Sequence, residues 1–305
     1  MGFRPAIEAI LRRLPDKSRR QTLLFSATMP SDVRSIADAA LRPSYRFVDC
    51  VGAEESTHQH VAQRYVISTV GDQAAELVAL LRAAIADGTA DGTGYKVIVF
   101  FTTARLTQFY AELCNLLGFN VLEMHSRKSQ SHRNRVSDLF RNGSNLIMFS
   151  SDVSARGMDY PDISAVMQVG LPADRAQYIH RLGRTARAGK GGEGVLLLCD
   201  FERGFLDAVR DLPLRPGRGS DPATLTAVRP TIDAAMRRLS NETCSMAYQA
   251  FLGYYNSNLR KVGWSKEQLV SVANGWATEV CMQPEPPALQ AKTIGKMGLK
   301  GVAGL

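Results

Sequence analysis

Residues 178–194 read YIHRLGRTARAGKGGEG, and in that stretch Arg181, Arg184 and Arg187 recur at every third position, with His180 four residues before Arg184. On a helix this spacing crowds the basic side chains toward one side, where like charges repel. No acidic residue offsets them before Glu193. A guanidinium is a planar fork that matches phosphate oxygens, and it can stabilise charge that builds on a phosphoryl group during transfer. A solvated basic helix face is the alternative. Against it, a Gly-rich turn into an apolar strand follows, a poor setting for solvation alone. An anion is the expected ligand.

Three further stretches carry residues of the same kind. In FSSDVSARGMDYPDI, Asp152 is placed to cap a short helix that Gly157 ends, which leaves Asp159 presented just beyond it. A carboxylate there can accept hydrogen bonds from a ribose, and the hydroxyls of Ser150 and Ser151 can hold a nucleic-acid phosphate; two routine caps are the plainer reading. MHSRKSQSHRNRV sets Arg127, Lys128, Arg133 and Arg135 around a strand-to-helix turn capped by Ser129. That arrangement suits a phosphate backbone, although an exposed basic helix without a ligand fits as well. LFSATMP ends a strand pattern in two hydroxyls before Pro30, and alone it reads as a turn.

The elements that must position these residues are legible from period. Between residues 63 and 199 the β-branched apolar runs QRYVIS, KVIVFF, NVLEM, NLIMFS, AVMQVG and GVLLLC alternate with helix-period segments near 72–87, 103–116, 129–141 and 174–187. Continuous apolar strands joined by helices predict an α/β fold, a doubly wound parallel sheet with ligands gathered at the carboxyl ends of its strands. Residues 1–49 read helix, strand (QTLLFSAT), helix, strand (YRFVDC), too little sheet to stand alone. Residues 50–62 form a linker, 63–212 the main domain, and 213–305 a mostly helical extension with a basic, Gly-rich tail.

Composition bounds the partners. Thirty-seven Lys or Arg against 29 Asp or Glu give a net charge of +8, which favours a polyanion. From residue 213 onward there are eleven Lys or Arg against six Asp or Glu, so much of the excess lies in the extension. No apolar run approaches a membrane span, and no membrane partner is expected. The five cysteines are scattered without CxxC spacing, which indicates neither a disulfide framework nor a zinc site, and fits a reducing compartment. The N-terminal MGFRPAIEAILRRLPDKSRR fits a surface helix better than a transit peptide or myristoylation signal, because Ala6, Glu8 and Asp16 break those patterns.

Taken in order, these stretches resemble motifs of the DEAD-box family of ATP-dependent RNA helicases: SATMP its motif III, VIVFFTT motif IV, HSRKSQSHR motif IVa, SSDVSARGMDYP motif V and YIHRLGRTARAG motif VI. The resemblance covers residues 1 to about 212 and implies RecA-like domains, the C-terminal one at 63–212 and the end of the first at 1–49. It implies that Arg184 and Arg187 contact the γ-phosphate of ATP, that Gly157 and Asp159 belong to the nucleotide site with Asp159 on the ribose, and that His180 and Arg181 link the ATP and RNA sites. Ser26 and Thr28 would couple hydrolysis to unwinding. Thr102, Ser126, Arg127 and Ser151 would touch the RNA backbone, with Gln130 and Arg133 supporting that surface.

The stretches AYQAFLGYYNSNLRKVGW and KMGLKGVAGL narrow the likeness to organellar DEAD-box proteins of fungi and plants that act as RNA chaperones, including intron-splicing factors. Mitochondrion or plastid is the compartment this implies, with cytoplasm or nucleus the alternative, and a monomer is the expected state. Within that extension Tyr248, Phe251 and Tyr255, at helical spacing, are expected in the core rather than as base-stacking platforms.

A working member also needs a GxxxxGK[ST] phosphate loop and an Asp-Glu-Ala-Asp stretch for Mg²⁺, and neither occurs in these 305 residues. The opening MGF resembles an internal stretch that follows the acidic motif in the family. The expectation is therefore the second half of an engine, with the ligands of Mg²⁺ outside this sequence and no ATP turnover by the chain alone. The rival expectation is a non-enzymatic RNA-binding or partner-docking module derived from a helicase.

Overall fold

A computed structural model describes residues 4–25, 31–48, 61–152, 158–186 and 191–305. They fall in two compact units, Met1–Ser56 and Thr57–Leu305. In the first, helix α1 (Arg4–Leu11) precedes a single 3-10 turn at Lys17–Arg19 and helix α2 (Ser31–Ala40). Asp16 caps the turn, its carboxylate accepting the Ser18 N–H at 2.9 Å. Two arginines tie the pieces together: Arg20 donates to the carbonyls of Pro15 and Ala40, and Arg42 to those of Lys17 and Arg20.

The expected strands QTLLFSAT and YRFVDC do not form over their described residues, 21–25 and 45–48. The reason is physical: a strand is held by its neighbours, and two isolated segments have no ladder to join. Their apolar side chains lie open instead, with Leu23, Phe25, Phe47 and Val48 between 60% and 87% exposed.

The second unit is built on a seven-stranded sheet: β1 (Ala62–Ser68), β2 (Lys96–Phe101), β3 (Leu122–Met124), β4 (Leu146–Ser150), β5 (Ala165–Val169), β6 (Glu193–Cys199) and β7 (Leu214–Pro216). Every neighbouring pair is parallel, in the order β3-β4-β2-β5-β6-β1-β7. The six expected strands are all present. The seventh, too short to read from period, pairs with β1 at the sheet edge, where Pro216 lacks the N–H that a further strand would need.

Helices α3 (Gln73–Ala90), α4 (Ala104–Leu116), α5 (Gln130–Asn142), α6 (Arg175–Leu182) and the short α7 (Phe205–Ala208) connect the strands. The strand alternation buries two faces: Val97, Val99 and Phe101 of β2 join the larger core, while Ile98 and Phe100 join a smaller one with Val136 and Phe140 of α5. Helix α6 stops at Leu182 with Gly183 as its cap, short of the expected residue 187.

The extension contributes α8 (Pro222–Met236), α9 (Asn241–Asn256), α10 (Leu259–Val262), α11 (Lys266–Gly275), a π turn (Trp276–Val280) and α12 (Ala291–Lys296). Its side chains enter the larger core. Tyr248, Phe251 and Tyr255 are 5% exposed or less, as their spacing predicts. Trp276 lies 5.3 Å from Phe109 of α4 and 5.4 Å from Phe251, ring centre to ring centre, so α4 and the extension share one aromatic cluster.

Candidate functional site

The chain leaves β2 for the β3 edge, then crosses back over β2 from β4 to β5. The carboxyl ends of β2, β4 and β5 therefore flank a reversal of strand order, the place where open α/β sheets hold ligands. Thr102 follows β2, Ser151 and Asp152 follow β4, and Gly170 follows β5.

Arg181 ties these ends together. It is wholly buried on α6, a position it reaches because Asp174 caps the helix through the Gln177 N–H at 2.7 Å and Gln168 of β5 donates to the Tyr178 carbonyl. Its Nε donates to Asp152 at 2.9 Å, its Nη2 stands 2.8 Å from the same carboxylate, and Nη2 also donates to the Phe101 carbonyl at 3.1 Å. The guanidinium lies 5.4 Å from the centre of the Phe100 ring. Gln177 donates to the other Asp152 oxygen at 2.8 Å. A buried cation is tolerable only when paired and hydrogen-bonded, and this one is both. Its two partners adjoin Thr102 and Ser151, so one side chain spaces two of the expected RNA contacts.

Arg184 follows the helix end. Its Nε donates to the His180 carbonyl at 3.3 Å and its Nη1 to the Met158 carbonyl, one residue from Asp159. Thr185 donates to the Ile163 carbonyl at 2.5 Å, pinning the turn, and Ala186 takes a left-handed φ of 52°. A left-handed alanine costs energy and persists only where its surroundings impose it. The structure thus brings Arg184 beside Asp159, which is exposed and whose carbonyl accepts from Arg141 at 3.5 Å. Ser26, Thr28, Gly157 and Arg187 lie outside the described residues.

The expected RNA face gathers at the ends of β2, β3 and β4. Ser150 Oγ lies 2.9 Å from the Met124 carbonyl, and the Ser151 N–H donates to that carbonyl at 3.2 Å. Ser126, Arg127 and Gln130 are exposed, and Arg133 is half-buried on α5. The Thr102 hydroxyl is buried, with no hydrogen-bond partner among the described residues. Gly170 lets β5 approach it: a Cβ there would meet Thr102 Cγ2 at 2.8 Å, and its φ of 84° suits glycine.

Sequence reasoning missed Arg105, in the first turn of α4. Burial, and then the nearby charge of Arg127, holds its guanidinium below the ordinary arginine range. The charges of Glu242 and Glu112 act on it in the opposite sense. The available signal was a basic residue three positions beyond the strand-end Thr102.

No group of three or more His, Cys, Asp or Glu among the described residues could hold a metal ion. Phosphate and ribose, by contrast, fit the donors of Arg184 and the carboxylate of Asp159.

Comparison with known proteins places this arrangement. Residues 76–189 match the helicase conserved C-terminal domain. Over its whole length the chain is 48% identical to DEAD-box ATP-dependent RNA helicase 31 of Arabidopsis thaliana and 47% to DEAD-box ATP-dependent RNA helicase 25 of the same plant, covering 41% and 53% of those proteins. The chain thus spans about half the length of the curated relatives it matches. Among solved structures it is similar to Mss116p bound to single-stranded RNA and AMP-PNP, with a TM-score of 0.80 and 25% identity over 98% of this chain and 61% of that one. Domain 2 of Mss116p, solved on an RNA duplex, shares the fold with a TM-score of 0.64 over 78% of this chain and 93% of that one. With a RecA-like parallel sheet, the helicase C-terminal domain and relatives matched along its full length, the chain belongs to the DEAD-box RNA helicase family, as the C-terminal part of such a protein.

Proposed function

We propose that this chain supplies the second half of an ATP-dependent RNA helicase that opens short duplexes locally. It holds one RNA strand by its backbone and presents arginine and a ribose-binding carboxylate to ATP. Arg181 carries the reading, because a buried guanidinium joined to both Asp152 and the Phe101 carbonyl makes the nucleotide-side helix and the RNA-side strand ends move together. ATP with Mg²⁺, when bound, supplies the phosphoryl chemistry. This chain's own residues orient and neutralise: Arg184 and Arg187 are assigned to the terminal phosphate, Asp159 accepts from the ribose, and Thr102, Ser126, Arg127 and Ser151 grip phosphates, supported by Gln130 and Arg133. Ser26 and Thr28 are assigned to coupling, His180 and Arg181 to the link between the two ligands.

The phosphate loop and the acidic motif are not in this sequence, so ATP hydrolysis requires polypeptide beyond it. The open side chains of Leu23, Phe25, Phe47 and Val48 support the same view, since they suit strands of a sheet whose other members lie outside this sequence. The purified chain is expected to bind single-stranded RNA weakly and to show no RNA-stimulated ATPase. A longer form carrying both missing motifs is expected to hydrolyse ATP and to lose about a hundredfold or more of that rate in Arg184→Ala, the scale of one lost phosphoryl contact. RNA-stimulated hydrolysis by the short chain, abolished by the same substitution, would overturn the half-engine reading. RNA binding with no dependence on Arg184 in either form would favour the docking-module alternative.

A further inference from the structure

His125 stands immediately after β3, 1% exposed, and the function above assigns it no role. Its ring is held from both sides. The Arg127 backbone N–H donates to Nδ1 at 3.2 Å, and Nε2 stands 2.5 Å from the Glu123 carboxylate. A ring nitrogen that accepts carries no proton, so this pattern assigns the neutral tautomer with its hydrogen on Nε2, donating to Glu123.

Glu123 is itself fixed, with Lys128 Nζ at 2.7 Å from its second oxygen and the His132 ring 3.1 Å from its carbonyl. Burial pushes its carboxyl up, but the hydrogen bonds from His125 and Lys128, with the charge of Lys128, outweigh that and leave it below the ordinary range. The Lys128 N–H closes the turn on the His125 carbonyl at 3.1 Å. At the crown of this turn, Ser126 and Arg127 are exposed.

We propose that His125 is a positioning residue for RNA: through Nδ1 it fixes the Arg127 amide and so the turn that presents Ser126 and Arg127 to the phosphate backbone. The proposal rests on the RNA-binding reading above. A side-chain acceptor taking the amide two residues on is the bond an asparagine makes in an Asx-turn. The ring adds a second anchor, because Glu123 holds it in the one tautomer that can accept. Without that acceptor the Arg127 amide has no side-chain partner, and the turn loses a constraint on two contacts at once.

The geometry separates the two ring nitrogens by experiment. Asparagine at 125 keeps an acceptor at the δ position and loses the ε donor; glutamine keeps a donor at ε and loses the δ acceptor. With a short fluorescent oligouridylate and the intact chain, His125→Asn is expected to bind within about threefold of the parent, whereas His125→Gln and His125→Ala bind about tenfold more weakly, the scale of one hydrogen bond to a ligand-positioning group.

Amide hydrogen exchange at Arg127, followed by NMR, supplies a readout that does not depend on RNA: protected in the parent and in His125→Asn, unprotected in His125→Gln. Equal loss of affinity in all three variants, or Arg127 protection that survives in His125→Gln, would overturn the proposal. A parent that fails to bind the probe while its Arg127 amide is protected would instead overturn the RNA reading on which the proposal stands. Thermal melting of each variant distinguishes a lost fold from a lost contact.

Discussion

Among single residues, the buried Arg181 carries the greatest consequence. Its charge is compensated by Asp152, whose side chain is half exposed, and by the Phe101 carbonyl. Truncating Asp152 strands the cation in a site it cannot leave, and the water that reaches the carboxylate position offsets only part of the loss. Asp152→Ala is expected to lower stability by about 2 kcal/mol, below the full cost of breaking a wholly buried pair, as read from the urea midpoint. Arg181→Lys keeps the charge but cannot reach both partners, so it is expected to lower RNA affinity and ATP-coupled unwinding together in the longer form. Unchanged coupling in that variant would remove Arg181 from the link between the two ligands. The arginine spacing in the sequence announced a basic cluster of the kind that suits phosphate. It did not announce that the first arginine of the series faces inward while Arg184 is only partly buried, because that depends on Asp152, 29 positions away in the chain.

At the level of elements, the extension is tied to the sheet by a buried acid. Glu202, just after β6, is wholly buried and accepts from the Tyr255 hydroxyl at 2.6 Å, the Leu171 N–H at 2.5 Å and the Cys199 N–H at 2.7 Å. Tyr254, its neighbour on α9, donates to the Leu171 carbonyl, and Lys261 to that of Ala173. Together they hold the segment between β5 and α6, upstream of the arginine series. Burial pushes the Glu202 carboxyl up to about 7, against the three hydrogen bonds that favour its charged form. An acid whose folded-state value is raised contributes stability that is complete below its unfolded value near 4.5 and is lost as pH rises through about 7. The urea midpoint of the chain is therefore expected to fall between pH 5 and pH 8 by the equivalent of about 3 kcal/mol at most. Tyr255→Phe, which removes a donor to the charged form, should steepen that fall. A flat profile in the parent would show that Glu202 stays charged throughout.

For the second unit as a whole, sheet and extension are one folding body. Phe109, Phe251 and Trp276 share an aromatic cluster, Tyr248 donates to Asn274 at 2.6 Å, and Thr243 of α9 donates to Glu112 of α4 at 2.7 Å. Ending the chain before residue 213 would expose the face of α4 that these helices cover and remove β7 from β1. Such a truncation is expected to be insoluble or to bind a hydrophobic dye, and to lose at least about 4 kcal/mol, the order of two buried aromatic side chains. A soluble, cooperatively melting 57–212 fragment would show that the extension is dispensable for folding. The first unit behaves oppositely, with apolar side chains open on segments that form no strand over their described residues.

Local period and residue type alone determined the six strands, the helices between them, the burial of Tyr248, Phe251 and Tyr255, and the stretches in which the side chains proposed to bind phosphate lie. These follow from hydrophobic alternation, which each segment carries within itself. The inward turn of Arg181, the like-charged approach of Arg105 to Arg127, the seventh strand and the failure of two expected ones were decided only by tertiary structure. Each depends on a partner distant in the chain or on the want of one, and pairing across the fold leaves no mark on the local spacing of residues.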